Sequence, residues 1–246
     1  MPPTSFPLLS SRRQVLSAGF AAALGSVAAL ELFGASTVSA RAKATPATRI
    51  AMIGDSLTIG TLPYQAAAFS DVGWSGSVID ACVSRGVRTK VKSDLHTGLT
   101  AVDAIRTTAG DCDVWVVALG TNDAGIFAKS KQPDLIRQMM DRIGGGHYVM
   151  WVNIYLPATL PRQQMWNAAL GTVAAERPNE MFVYDWASVA AHNERWLADD
   201  QVHCSGKGYV NRSTEIASAT RSLIPSVPPS AGSGRPRRPW LKPLAP

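Results

Sequence analysis

The sequence is poor in the residues that would brace a scaffold or hold an ion. It has three cysteines in 246 residues, Cys82, Cys112 and Cys204, too few and too widely spaced for a disulfide framework or a zinc knuckle. One bridge with one free thiol is compatible with that count. The histidines and cysteines lack close ligand spacing, and the carboxylates are not grouped into an oxygen cage, so no metal is expected. No phosphate-binding glycine loop occurs either, and the expected number of cofactors is zero. The apolar run from Ala18 to Leu30 is shorter than the ~20 residues of a comfortable membrane span.

Charge is also sparse, at 17% of residues with a formal net charge of +6. Its location limits what it can mean. Residues 1–40 carry +1 and residues 225–246 carry +4, from Arg235, Arg237, Arg238 and Lys242, which leaves +1 for residues 41–224. A nearly neutral middle argues against a nucleic-acid groove, which needs many Lys and Arg residues to replace counterions along the phosphates. The hydrophobic content of 46% is enough for one sizeable core, and a single domain, acting as a monomer, is expected over residues 41–224.

Ser11-Arg12-Arg13-Gln14-Val15-Leu16, the apolar run after it, and the small residues Val38-Ser39-Ala40 and Ala40-Arg41-Ala42 resemble a twin-arginine export signal over residues 1–40. Cleavage after Ala40 or Ala42 would release a soluble product to the cell envelope or the extracellular space. No cysteine near this point could carry a lipid. Residues 225–246 hold seven prolines among Gly and Ser, without any period that specifies a helix or strand, and are expected to form a disordered basic tail. That tail is a candidate contact to an anionic envelope surface.

Apolar runs over Arg49–Ile53 and Asp113–Leu119 each end at a glycine and have the composition of buried parallel strands. Further strands are expected over Gly76–Ala81, His147–Ile154 and Met181–Tyr184. Between them, Leu99, Val102 and Ile105 recur at helical spacing. Leu135, Met139 and Ile143 make a second helical face beside Ile136 and Met140, and Met165, Ala169 and Val173 a third. A last helix is expected over roughly Lys207–Leu223. Alternating strands and helices of these lengths require right-handed crossovers and a parallel sheet covered on both faces. The fold class is therefore α/β, a three-layer α/β/α, flavodoxin-like domain with a five-stranded parallel sheet, in which ligands bind beyond the carboxyl ends of the strands.

Three short blocks fall at that edge. Gly54-Asp55-Ser56-Leu57 follows the first strand, which suits Ser56 to the role of exposed nucleophile. Gly120-Thr121-Asn122-Asp123 follows the third, where the Asn122 amide can donate to an oxyanion and Asp123 can satisfy backbone donors. Asp200-Gln201-Val202-His203 precedes the last helix. A three-residue separation in a loop lets a carboxylate orient one imidazole nitrogen while the other faces the serine, with Asp199 as a less well-spaced substitute. His96 and His192 lack a carboxylate three residues before them, and His147 belongs at the amino edge of its strand, so these three are expected to be structural or surface residues. No G-x-S-x-G elbow occurs, because Thr58 stands where the second glycine would be.

The order GDSL, GTND and DxxH resembles the SGNH hydrolase family (GDSL-like lipases and esterases), in an exported bacterial form, across roughly residues 48–224. The resemblance implies Ser56, Asp200 and His203 as the catalytic residues. It implies an oxyanion hole made by the N–H of Ser56, a backbone N–H from the second block, and Asn122. In Asp80-Ala81-Cys82-Val83-Ser84-Arg85, Ser84 stands where the family has glycine, with Gly86 as the alternative match. Cys82 and Cys204 lie in blocks expected around the site, either bridged or as two buried thiols. Tyr155, Leu156 and Pro157 after the fourth strand either line an acyl pocket or pack. The activity implied is hydrolysis of carboxylic esters on a small molecule or a glycan. The competing readings are a transacylase or acetylesterase on envelope sugars, and a catalytically weak envelope-binding protein.

Overall fold

The computed structural model describes residues 49–89 and 96–224; the export-type segment and the Pro-rich tail lie outside the described residues. Five parallel strands form the sheet: β1 (Arg49–Gly54), β2 (Gly76–Ala81), β3 (Val114–Ala118), β4 (Tyr148–Val152) and β5 (Met181–Tyr184). They lie side by side in the order β2-β1-β3-β4-β5. The main helices are α1 (Ser56–Asp71), α2 (Gly98–Ala109), α3 (Gln132–Ile143), α4 (Leu160–Glu176), the short α5 (Trp186–Ala191) and α6 (Gly206–Leu223). The strands expected over Asp113–Leu119 and His147–Ile154 are one or two residues shorter at their ends.

Strand periodicity splits the core into two layers. Ala51 and Ile53 of β1, Trp115 and Val117 of β3, and Val149 and Trp151 of β4 face one cluster, which α2, α3 and α4 complete with Val102, Ile105, Ile136, Met139, Leu170 and Val173. The alternate residues Ile50, Met52, Val114, Val116, Met150 and Val152 face a second cluster with Phe69, Trp186, Ile216 and Ala217 from α1, α5 and α6. A sheet buried on both faces has no polar side, which is why these strands are continuous apolar runs. The buried indoles are partly satisfied from within: Trp151 donates Nε1–H to Leu119 O at 2.9 Å, and Trp115 to Cys112 O at 3.1 Å.

The chain runs from β1 to the edge strand β2 and then crosses to β3 on the other side of β1. This reversal opens a crevice beyond the carboxyl ends of β1 and β3. The turns after both strands, carrying Ser56 and Asn122, meet there.

Met139 is fully buried in the first layer. Met139→Ala is expected to lower the unfolding free energy by about 2–5 kcal/mol, read as a lower urea midpoint with an unchanged slope.

Candidate active site

Ser56 is the first residue of α1, and Asp55 caps that helix, accepting the N–H of Leu57 on Oδ1 at 3.0 Å. The Asp55 carbonyl accepts from Thr58 and Ile59. The N–H of Ser56 has no acceptor among the described residues, as expected for a first-turn donor. It points positive backbone charge outward at the helix start.

The segment from Leu197 to Cys204 forms a small antiparallel loop, bridged between those two residues and closed by Ala198 N–H donating to His203 O at 2.8 Å. Inside it, Asp200 Oδ1 accepts the N–H groups of Val202 and His203 at 3.0 and 2.9 Å. Its Oδ2 lies 2.7 Å from His203 Nδ1. His203 Nε2 lies 3.0 Å from Ser56 Oγ. The hydrogen bond with His203, followed by the two backbone N–H groups, holds the Asp200 carboxyl down at about 2. Asp200 is thus ionised throughout the range in which an imidazole works as a base. Nδ1 bears the proton and Nε2 is left to accept one from the serine. Asp199 does not take this place; it faces a cleft beside the loop.

The loop is anchored from both sides. Ser205 caps α6 by accepting from Gly208 N–H at 3.2 Å and donates its own N–H to Trp196 O at 2.8 Å. A Cβ at Gly208 would come within 1.9 Å of Trp196 O, so only glycine lets α6 start this close to the loop. Trp196 stacks on Trp186 with ring centroids 6.2 Å apart, and the guanidinium of buried Arg212 lies 4.5 Å over the other ring.

Asp55 joins the turn after β1 to the turn after β3. It is 1% exposed, accepts the N–H of Leu57, and lies 3.4 Å from Asn122 Nδ2. Asn122 also donates to Arg85 O at 2.9 Å. Arg85, 2% exposed, reaches back to Asp80, pairing with its Oδ1 and donating to its carbonyl, both at 2.9 Å. Asp123 completes the lock: Oδ2 accepts Val87 N–H at 2.7 Å and Oδ1 accepts the Thr89 hydroxyl at 2.8 Å. The expectation that Asp123 satisfies backbone donors agrees with this geometry. The parts played by Asp55 and Arg85 were not legible in the sequence, although a carboxylate just before an apolar helical start is an N-cap signal.

The second block separates the two oxyanion candidates. Gly86 N–H donates to Thr89 O at 3.2 Å, and a Cβ there would come within 2.3 Å of Asp123 Oδ1. Gly86 is therefore glycine because of Asp123, and its N–H is already used. Ser84 has φ +55, the left-handed conformation that glycine favours. No acceptor among the described residues takes its N–H. The serine replaces glycine without changing the backbone shape that glycine would give.

The remaining expected residues divide. His147 precedes β4 and places Nδ1 2.9 Å from Cys112 O and Nε2 3.4 Å from Asp111 Oδ2, and His192 places Nδ1 2.7 Å from Ser188 O. Neither is bonded to Ser56 or Asp200. No disulfide joins Cys82, Cys112 or Cys204, so Cys82 and Cys204 are not bridged, and burial pushes the Cys112 thiol up to about 11. Leu156 packs into the first core layer, whereas Tyr155 and Pro157 line the cleft beside the loop that bears Asp200 and His203. Among the described residues, no three His, Cys, Asp or Glu side chains gather as a metal site would require, and no helix is long and apolar enough to cross a membrane.

Fold and site together define an ester-cleaving hydrolase of the SGNH type. The chain belongs to the GDSL-like lipase/acylhydrolase family, whose sequence profile matches residues 52–210. No curated protein matches it. Among solved structures it is similar to the C-terminal catalytic domain of the peptidoglycan O-acetyltransferase OatA of Streptococcus pneumoniae, with 20% identity, a TM-score of 0.54, and 72% of this chain and 98% of that one covered. It is similar also to Est24, a carbohydrate acetylesterase from Sinorhizobium meliloti, with 15% identity, a TM-score of 0.54 and coverage of 71% and 99%. The esterase EstA from Pseudoalteromonas sp. aligns at 13% identity with a TM-score of 0.56, over 71% and 97% of the two chains. At these identities the likeness establishes the fold.

Burial raises the Asp55 carboxyl to about 6, against the opposing pull of the Leu57 N–H and of Arg212 and His203. A raised folded-state value means the folded form holds the proton more tightly than the unfolded chain. The stabilisation is complete below the ordinary carboxyl value near ~3.8 and disappears as pH rises through about 6. Asp55→Asn should therefore flatten the pH dependence of the urea midpoint between pH 4 and 7. The wild type should gain stability relative to the variant on acidification, by roughly 3 kcal/mol at most.

Proposed function

We propose that the chain is an exported serine esterase that hydrolyses acyl or acetyl carboxylic esters through Ser56, His203 and Asp200. The observation that carries this reading is the linear arrangement Ser56 Oγ, His203 Nε2, His203 Nδ1 and Asp200 Oδ2, with separations of 3.0 Å at the serine and 2.7 Å at the carboxylate.

His203 takes the Ser56 proton as Oγ attacks the ester carbonyl, and the imidazolium is stabilised by Asp200. The N–H groups of Ser56 and Ser84 and the amide of Asn122 receive the charge that forms on the carbonyl oxygen. Collapse expels the alcohol, which leaves with the proton from His203, and a covalent acyl-Ser56 remains. A water molecule, deprotonated by His203, then attacks the acyl carbon, and the carboxylic acid departs as Ser56 regains its proton. Asn122 is held for this by Arg85 O, and Ser56 by the cap that Asp55 places on α1.

Export is proposed from the residues Ser11 to Ala42, and envelope contact from the basic tail. A second reading keeps the site and changes the acceptor, so that the acyl-enzyme transfers an acetyl group to or from an envelope sugar. It is favoured by two structural relatives, one an O-acetyltransferase of peptidoglycan and one a carbohydrate acetylesterase. Competing alcohols distinguish the two, because a transferase partitions the acyl-enzyme to sugar ester in preference to free acid.

The purified protein is expected to hydrolyse p-nitrophenyl acetate, and Ser56→Ala and His203→Ala should each remove that turnover. Asn122→Ala should lower kcat by about 10²–10³-fold with a smaller effect on KM. Wild-type turnover in Ser56→Ala would instead favour a binding protein with adventitious hydrolysis.

A further inference from the structure

Beside the loop that carries Asp200 and His203 lies a cleft of about 490 Å³, lined by Tyr155, Pro157, Glu194, Leu197, Ala198, Asp199 and Gln201. Its position bears on one half of the substrate. In the proposed reaction His203 returns the serine proton to the departing alcohol, so that alcohol has to sit on the imidazole side of Ser56. The cleft wall from Leu197 to Gln201 belongs to the same loop that ends in His203, and neither Ser84 nor Asn122 lines the cleft, which suits it to the side of the leaving group.

The cleft's chemistry is one-sided. Glu194 and Asp199 are exposed, and neither side chain forms a hydrogen bond or ion pair among the described residues. No Lys, Arg or His lines the cleft. The neighbouring Asp200 is already committed to His203. Tyr155 contributes an aromatic surface, and Leu197 and Pro157 contribute apolar ones. Two unpaired carboxylates lining one cleft with an aromatic ring suit an ammonium group, which gains from the carboxylates and from the face of the ring together. They are unsuited to a fatty alcohol and repel an anionic one.

Resting on the esterase reading, we propose that this cleft receives the alcohol portion of the ester and selects for one that bears a positive charge, as in the ester of an amino alcohol or amino sugar. Glu194 and Asp199 are then specificity residues that attract the ammonium, and Tyr155 is the surface on which it rests. Exposed ion pairs are individually weak, so the preference is modest, roughly five- to twentyfold for the two carboxylates at low salt. Added salt screens it.

The test compares kcat/KM of the full-length protein for acetylthiocholine with that for 3,3-dimethylbutyl thioacetate, its uncharged isostere, at low salt and in 0.5 M sodium chloride. The expected ratio favours the cation by roughly five- to twentyfold at low salt. It should fall toward one in high salt and in the doubly substituted Glu194→Gln, Asp199→Asn protein. Where both thioesters turn over too slowly to compare, the ratio is read from inhibition of p-nitrophenyl acetate hydrolysis by choline and by 3,3-dimethylbutanol. A ratio at or below one in the unsubstituted protein, or a preference that persists in the double variant, overturns the assignment of the cleft while leaving the esterase reading intact. Loss of the esterase reading itself would appear separately, as hydrolysis of p-nitrophenyl acetate that survives Ser56→Ala.

Discussion

A carboxylate kept almost entirely from water, Asp55, is the constraint on which the rest of the site depends. Burying a charge is costly unless hydrogen bonds replace its solvent, and each bond Asp55 accepts fixes something the chemistry needs. The N–H of Leu57 sets the first turn of α1 and so the direction of Ser56. The nearby amide of Asn122 binds the third-strand turn to the first. On the inner side Arg212, itself wholly buried, provides an opposing charge and stacks on Trp186. Desolvation still dominates, which is why the carboxyl rests at about 6.

The same arrangement recurs one layer out. Asp123 is buried, receives Val87 and Thr89, and requires a glycine at position 86. Arg85 is buried, pairs with Asp80 at the end of β2, and offers its carbonyl to Asn122. Thus the turns after β1, β2 and β3 are knitted to one another by charged side chains at the edge where the strand order reverses. The His203 loop is built differently, from local backbone bonds and an aromatic stack, with Asp200 and His203 largely open to solvent at 52% and 40% exposure. A buried donor side thus faces a more exposed proton-transfer side.

The sheet was legible because every strand is buried on both faces and so becomes an uninterrupted apolar run. The helix α1 was not. Its inward residues include Thr58, Thr61 and Gln65, which bond Thr61 to Thr58 O and Gln65 to Ser213 O, so a buried polar stripe erased the helical period. The short α5 has too few residues to show one. The block order gave the positions of Ser56, Asn122, Asp200 and His203, which the structure brings together. The choice between Ser84 and Gly86 could not be made from the sequence, because it depends on where Asp123 lies and on a positive φ that serine does not signal. Tyr155 and Pro157 could be placed near the site, but their pairing with Glu194 and Asp199 depends on how two distant loops meet. The cysteines show the limit of reading proximity from motif blocks: Cys82 and Cys204 both lie near the site, yet they remain separate thiols.

The central claim is that His203, and through it Asp200, makes Ser56 the one activated nucleophile of this chain. Covalent labelling with an alkyl fluorophosphonate tests it without assuming a substrate, followed by intact-mass measurement and peptide mapping. The account predicts one adduct per chain, located on Ser56, formed rapidly in the native protein and not after denaturation. Labelling at another residue, or none under conditions where the protein is folded, would contradict it.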